Sequence, residues 1–143
     1  MPTPPPGPSP AGYSGKPVPV KLGVQEGHRV LVAGAPDGFA LDPLPGGVTL
    51  HARATGAEPY DLVLAFCPDR ATLERRFAPL AGRLTTAGAL WVAWPKKAGG
   101  QAKDIDENVV RDVGLAAGLV DVKVIAIDAV WSGLKFVRRL RDR

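Results

Sequence analysis

At 143 residues the chain is long enough for one domain, which at this size buries roughly two thirds of its unfolded surface, and too short for two. Hydrophobic residues make up 45%, charged residues 22% and aromatic residues 6%, which excludes a disordered chain, and no apolar run is long enough to predict a membrane span. The net charge of +4 comes from residues 135–143, which hold five basic residues against one acid while the rest of the chain balances, so nucleic acid is not an expected partner.

Eight of the first 19 residues are proline. This sets residues 1–12 apart as a disordered proline-rich tail and leaves 13–143 as the single domain. His28 to Ala35 is an apolar run ending in Gly34, Pro36 and Gly38, the pattern of a strand buried on both faces. Val48 to Arg53 alternates and predicts a peripheral second strand, and the proline-rich link before it leaves room for only a turn or two of helix. Tyr60 to Phe66 predicts a third strand, again buried on both sides.

Asp69 is placed to cap a helix that faces inward through Leu73, Phe77, Leu80 and Leu84, with a kink or break expected at Pro79. Gly88 leads into a fourth strand, Ala89 to Trp94, stopped by Pro95, and the loop Lys96 to Lys103 is expected to be mobile. Asp104 and Glu107 have capping-box spacing ahead of a helix that faces inward through Ile105, Val109 and Val113 and ends near Gly118. Val122 to Ile127 and Leu134 to Leu140 then predict an antiparallel hairpin with its turn at Asp128 to Gly133.

Strands alternating with helices predict an α/β fold with a mostly parallel, shortened Rossmann-like sheet, helices on both faces and a C-terminal antiparallel hairpin. Over residues 20–140 this order resembles the S-adenosylmethionine-dependent methyltransferases, less about one strand and its helix. Particular words resemble the bacterial family called domain of unknown function 3052, from about Ala11 to Arg143. They are Tyr13-Ser14-Gly15-Lys16-Pro17, Lys21-Leu22-Gly23-Val24, Arg29 to Pro36, Trp94-Pro95-Lys96-Lys97, Asn108-Val109-Val110-Arg111, Gly118-Leu119-Val120-Asp121 and Trp131-Ser132-Gly133-Leu134. That resemblance implies a small intracellular bacterial protein and brings no activity, substrate or catalytic residue with it.

An open parallel sheet takes ligands at the carboxyl ends of its strands, where strand order reverses. There the sequence places Gly34, Asp37 and Gly38 as the candidate cofactor loop. It places Trp94, Lys96, Lys97, Trp131 and Ser132 as candidate contacts for an anion, joined by Asn108 and Arg111 at a helix start. The loop has two glycines four apart with a proline between them, and the second strand ends without the acid that ribose hydroxyls need, Glu58 being the nearest replacement. His28 and His51 lack ligand partners at metal spacing, no pair of carboxylates suggests an acid and base, and Cys67 reads as a small buried hydrophobe. That lone cysteine excludes an internal disulfide and fits a reducing compartment, and with no signal-peptide pattern a soluble cytoplasmic protein is expected.

The expected function is therefore a non-catalytic methyltransferase-like domain that binds a small anionic molecule or a protein partner's acidic group. The alternatives are a methyltransferase taking S-adenosylmethionine on an unusual loop, and an interaction module whose basic final strand pairs edge to edge with another chain.

Overall fold

The computed structural model describes residues 16–97 and 104–143. The proline-rich tail at 1–12 and loop positions 98–103 lie outside the described residues. Six strands form one sheet: β1 (Arg29–Ala33), β2 (Thr49–His51), β3 (Tyr60–Phe66), β4 (Leu84–Pro95), β5 (Leu119–Ala126) and β6 (Trp131–Arg138). Their order is β2-β1-β3-β4-β6-β5. The first four are parallel, and β6 runs antiparallel to both β4 and β5. The interior position of β6 overturns edge pairing by the basic final strand, because both of its hydrogen-bonding edges are already taken.

The central strands are the apolar ones because both of their faces are covered. On one face α2 (Arg70–Ala81) and α3 (Glu107–Ala116) lay Leu73, Phe77 and Val110 against Leu31, Val63, Leu90 and Phe136. On the other face a short helix, α1 (Val18–Leu22), and the irregular chain after β1 cover Val30, Leu62, Leu64 and Trp91 with Leu22, Val24 and Leu41. The helices thus lie on both faces, unequally, since no helix forms between β1 and β2. Two long-range bonds hold α1 in place: Trp91 Nε1 donates to Leu22 O at 3.0 Å and Lys21 Nζ to Ala126 O at 2.7 Å. Among the described residues, no helix is long and apolar enough to cross a membrane.

Asp69 caps α2 as its position predicts, accepting from Thr72 N at 2.8 Å. The break expected at Pro79 does not occur. Proline falls in the last turn, where few helical bonds remain to be lost, and α2 runs two residues past it to Ala81. Leu84 belongs to β4, not to the helix, and pairs with Tyr60; Leu62 then pairs with Ala89, so the residues between are accommodated in an irregularity. Gly88 makes this possible, since a Cβ there would lie 3.0 Å from Tyr60 O and 3.2 Å from Asp61 O. The cap of α3 is Asp106, whose carboxylate accepts from Val109 N at 2.9 Å. Asp104 instead accepts from Arg70 N at 3.0 Å, tying the start of α3 to the start of α2. The hairpin turn is shorter than expected, so Trp131 and Ser132 open β6 and pair with Pro95 and Trp94.

Candidate functional site

Strand order reverses between β1 and β3, because the chain leaves β1 outward to β2 and returns to the other side. The crevice expected at that point lies over Gly34 and the end of β3. Gly34 has φ +70, a backbone form that favours glycine, and a Cβ added to it would coincide with the Arg76 guanidinium. Arg76 reaches across from α2 and its Nη1 donates to Phe66 O at 2.6 Å. Phe66 is packed edge-on against Phe39 at 4.9 Å and against Trp131 at 5.0 Å between centroids. The backbone of Gly34 is therefore covered by the Arg76 guanidinium, with three aromatic rings packed together around the end of β3.

Asp37 and Gly38 lie beside this crevice, where they line a 550 Å3 cavity with Val18, Phe39, Asp128 and Trp131 among others. A second cavity of 360 Å3 opens at the end of β2 among Val32, Phe39, Leu41, Leu50 and His51, and no carboxylate lines it. Glu58 does not substitute for the missing acid. Its carboxylate lies 4.0 Å from Arg29 Nε, and Arg29 opens β1 at the opposite edge of the sheet.

The other end of the same rim is open. Trp94, Lys96, Lys97, Asn108 and Ser132 line one 440 Å3 cleft together with Asp106 and Glu107. Pairing of β4 with β6 puts Ser132 opposite Trp94, and Lys96 N donates to Val130 O at 2.8 Å, which fixes the chain as it leaves the sheet. The cleft's two acids are largely engaged. Asp106 caps α3 and makes an exposed 3.8 Å pair with Lys97, while Glu107 accepts from Arg111 Nη2 at 2.6 Å.

Five of the seven predicted ligand residues thus meet in one cleft, and two do not. Trp131 faces the neighbouring cavity. Arg111 is engaged in ion pairs with Glu107 and Asp121, whose hydrogen bonds raise its guanidinium pKa and hold the Asp121 carboxyl below the usual carboxylate range. Cys67 is buried, and burial pushes its thiol up to about 12, too high for a thiolate nucleophile. His51 Nδ1 lies 2.6 Å from Tyr60 Oη. Among the described residues, no three His, Cys, Asp or Glu side chains gather as metal ligands would.

The residue at the switch point that the sequence reading passed over is Arg76. A signal existed, because Arg76 follows the inward-facing Leu73 by three positions and so lies on the flank of the buried stripe.

No protein-family model and no curated protein matches the sequence. Solved structures do match. A possible exported protein from Bordetella parapertussis is similar with a TM-score of 0.55 and 15% identity, over 80% of this chain and 63% of that one. This chain therefore spans less than two thirds of that neighbour's length. The N-methyltransferase NodS from Bradyrhizobium japonicum WM9 is similar with a TM-score of 0.55 and 15% identity, over 83% and 89% of the two chains. The magnesium protoporphyrin IX methyltransferase ChlM from Synechocystis PCC 6803, solved with bound S-adenosylmethionine, has a TM-score of 0.52 and 14% identity over 80% and 71%. The fold is the Rossmann-like methyltransferase fold, with a six-stranded sheet and antiparallel C-terminal strands.

Proposed function

We propose that this is a non-catalytic methyltransferase-like domain that binds an anionic group, carried by a small molecule or by a protein partner, at the Trp94–Lys96–Lys97–Ser132 end of the sheet. The observation that carries the reading is the convergence of Lys96, Lys97, Asn108 and Ser132 on one 440 Å3 cleft. An arriving carboxylate or phosphate competes with Asp106, whose exposed 3.8 Å contact with Lys97 is a pair of small energetic weight, while the Glu107 carboxylate of the same cleft is held by Arg111. Ser132 and Asn108 add neutral donors, and Trp94 supplies a mostly buried apolar wall.

The same reading places the chain with the bacterial family called domain of unknown function 3052, on the spaced words that resemble it. Cofactor use is the alternative. Methyltransferases of this fold place S-adenosylmethionine at the switch point, and the 550 Å3 cavity bounded by Asp37 and Gly38 adjoins that place. The residues present do not fit that cofactor in the expected way: the backbone of Gly34 is covered by Arg76, and no acid stands at the end of β2.

Titration with inorganic phosphate and with succinate, followed by amide chemical shifts, tests the anion site. Shifts at Lys96, Lys97, Asn108 and Ser132 are expected, weakened at least about tenfold in a Lys96→Ala/Lys97→Ala variant. Shifts confined to other residues, or unchanged affinity in the variant, overturn the reading.

A further inference from the structure

We infer that Arg76 is the side chain that closes the switch-point crevice to a nucleoside cofactor, and that a shorter residue there restores a place for one. This rests on the reading of the domain as one that does not use S-adenosylmethionine.

A cofactor at the switch point of a parallel sheet lies across the strand ends, against a backbone kept bare by glycine. Gly34 keeps that backbone form at φ +70, yet the space above its Cα holds a guanidinium. The arginine is anchored at both ends. Its helix is capped by Asp69 and seated through the buried Leu73 and Phe77, and its Nη1 is bonded to Phe66 O at the end of β3. Withdrawing it strips that carbonyl of a charge-assisted hydrogen bond. On the far side Phe39 and Trp131 pack edge-on against Phe66, and both also line the neighbouring 550 Å3 cavity.

The charge of Arg76 acts in the same direction as its bulk. The carboxylates around it are Asp69, which is held by Thr72 N, and Asp37 and Asp128, which line the neighbouring cavity. A sulfonium brought against Gly34 would meet a guanidinium of like charge in a partly dry site, where such repulsion is only weakly screened. The neutral thioether of S-adenosylhomocysteine escapes that repulsion and meets only the bulk, which makes it the more permissive probe.

The test uses the full chain and two variants, Arg76→Ala and Arg76→Gln, titrated with S-adenosylhomocysteine by calorimetry and followed by thermal melting. Circular dichroism establishes that each is folded. The wild-type chain is expected to give no heat and no melting shift at about 1 mM ligand, while Arg76→Ala binds at least about tenfold more tightly and melts higher with ligand present. Glutamine is too short to reach Gly34 and carries no charge, so Arg76→Gln is expected to bind as well, and it decides the matter if the alanine variant does not fold. A folded variant that gives no heat overturns the role of Arg76 and leaves the cofactor-free reading standing. Micromolar binding by the wild-type chain overturns both.

Discussion

The two ends of the sheet's carboxyl rim are built from similar materials and treated in opposite ways. Over Gly34, between β1 and β3, an arginine covers the backbone and meets a strand-end carbonyl, with aromatic rings packed beside it. Over β4 and β6 two lysines, a serine and an asparagine stand around open space, with their nearest acids turned mainly to capping and ion pairing. The contrast follows from what each cation can reach. Arg76 rises from a helix that crosses directly behind the strand ends, so its guanidinium finds Phe66 O. Lys96 and Lys97 leave the sheet past Pro95, and the turn before β6 offers the Val130 carbonyl to the Lys96 backbone instead. One rim of one sheet can thus have its backbone covered at one place and leave a cleft open at another.

Phe66→Ala breaks the closed end most severely. It removes a fully buried ring that two other aromatic rings pack against, and a loss of about 3–5 kcal/mol in urea denaturation is expected. A loss under about 1 kcal/mol would mean that Phe39 and Trp131 collapse freely into the gap and that the closed end is not tightly packed. Asp106→Ala acts on the open end. Loss of the α3 cap is expected to cost about 1 kcal/mol, while phosphate affinity at Lys96 and Lys97 rises because a competing carboxylate has gone. Stability and affinity moving in opposite directions is the distinguishing result, read from denaturation and from phosphate titration.

The smallest effect belongs to Asp121→Asn, behind the open cleft. Arg111 holds the Asp121 carboxyl below its usual range, so this ion pair stabilises the fold above the unfolded carboxylate pKa of about 4 and loses its contribution as pH falls through the depressed folded value. The variant is expected to be less stable than wild type at neutral pH by about 0.2–1 kcal/mol, with the gap closing as the Asp121 carboxyl becomes protonated in acid. A gap that persists at low pH would assign the role of Asp121 to packing instead of charge.

Much of the fold was legible because its central strands are apolar on both faces. Tyr60–Phe66 has no polar interruption except Asp61, and Asp69 follows it at capping distance from Thr72. The first half of β4 was hidden because Leu84 continues the helical spacing of Leu73, Phe77 and Leu80, while Thr85 to Gly88 interrupts the apolar run that would have marked a strand. Asp104 and Asp106 are both good caps in isolation, and only the approach of the Arg70 N–H separates their roles. The open cleft was legible from Trp94-Pro95-Lys96-Lys97 at a strand end and Ser132 beyond it. The closed crevice was not, since a long cationic side chain carries no sequence mark of where its tip will lie. Arg111, read as a ligand contact, depends in the same way on Asp121, ten residues away on the neighbouring β5.

The clasp between α1 and the last strands bears on the order in which the chain can assemble. Trp91 lies 69 residues beyond Leu22, and Ala126 lies 105 residues beyond Lys21. A ribosome releases Val18–Leu22 early, but the surface this segment docks on exists only once β4 and β5 have been synthesised and paired. A five-residue helix cannot hold its shape alone in water while it waits. The first of the described elements is consequently among the last to settle, and until then Trp91, Leu64 and Val32 present an uncovered apolar face to the surroundings of the nascent chain.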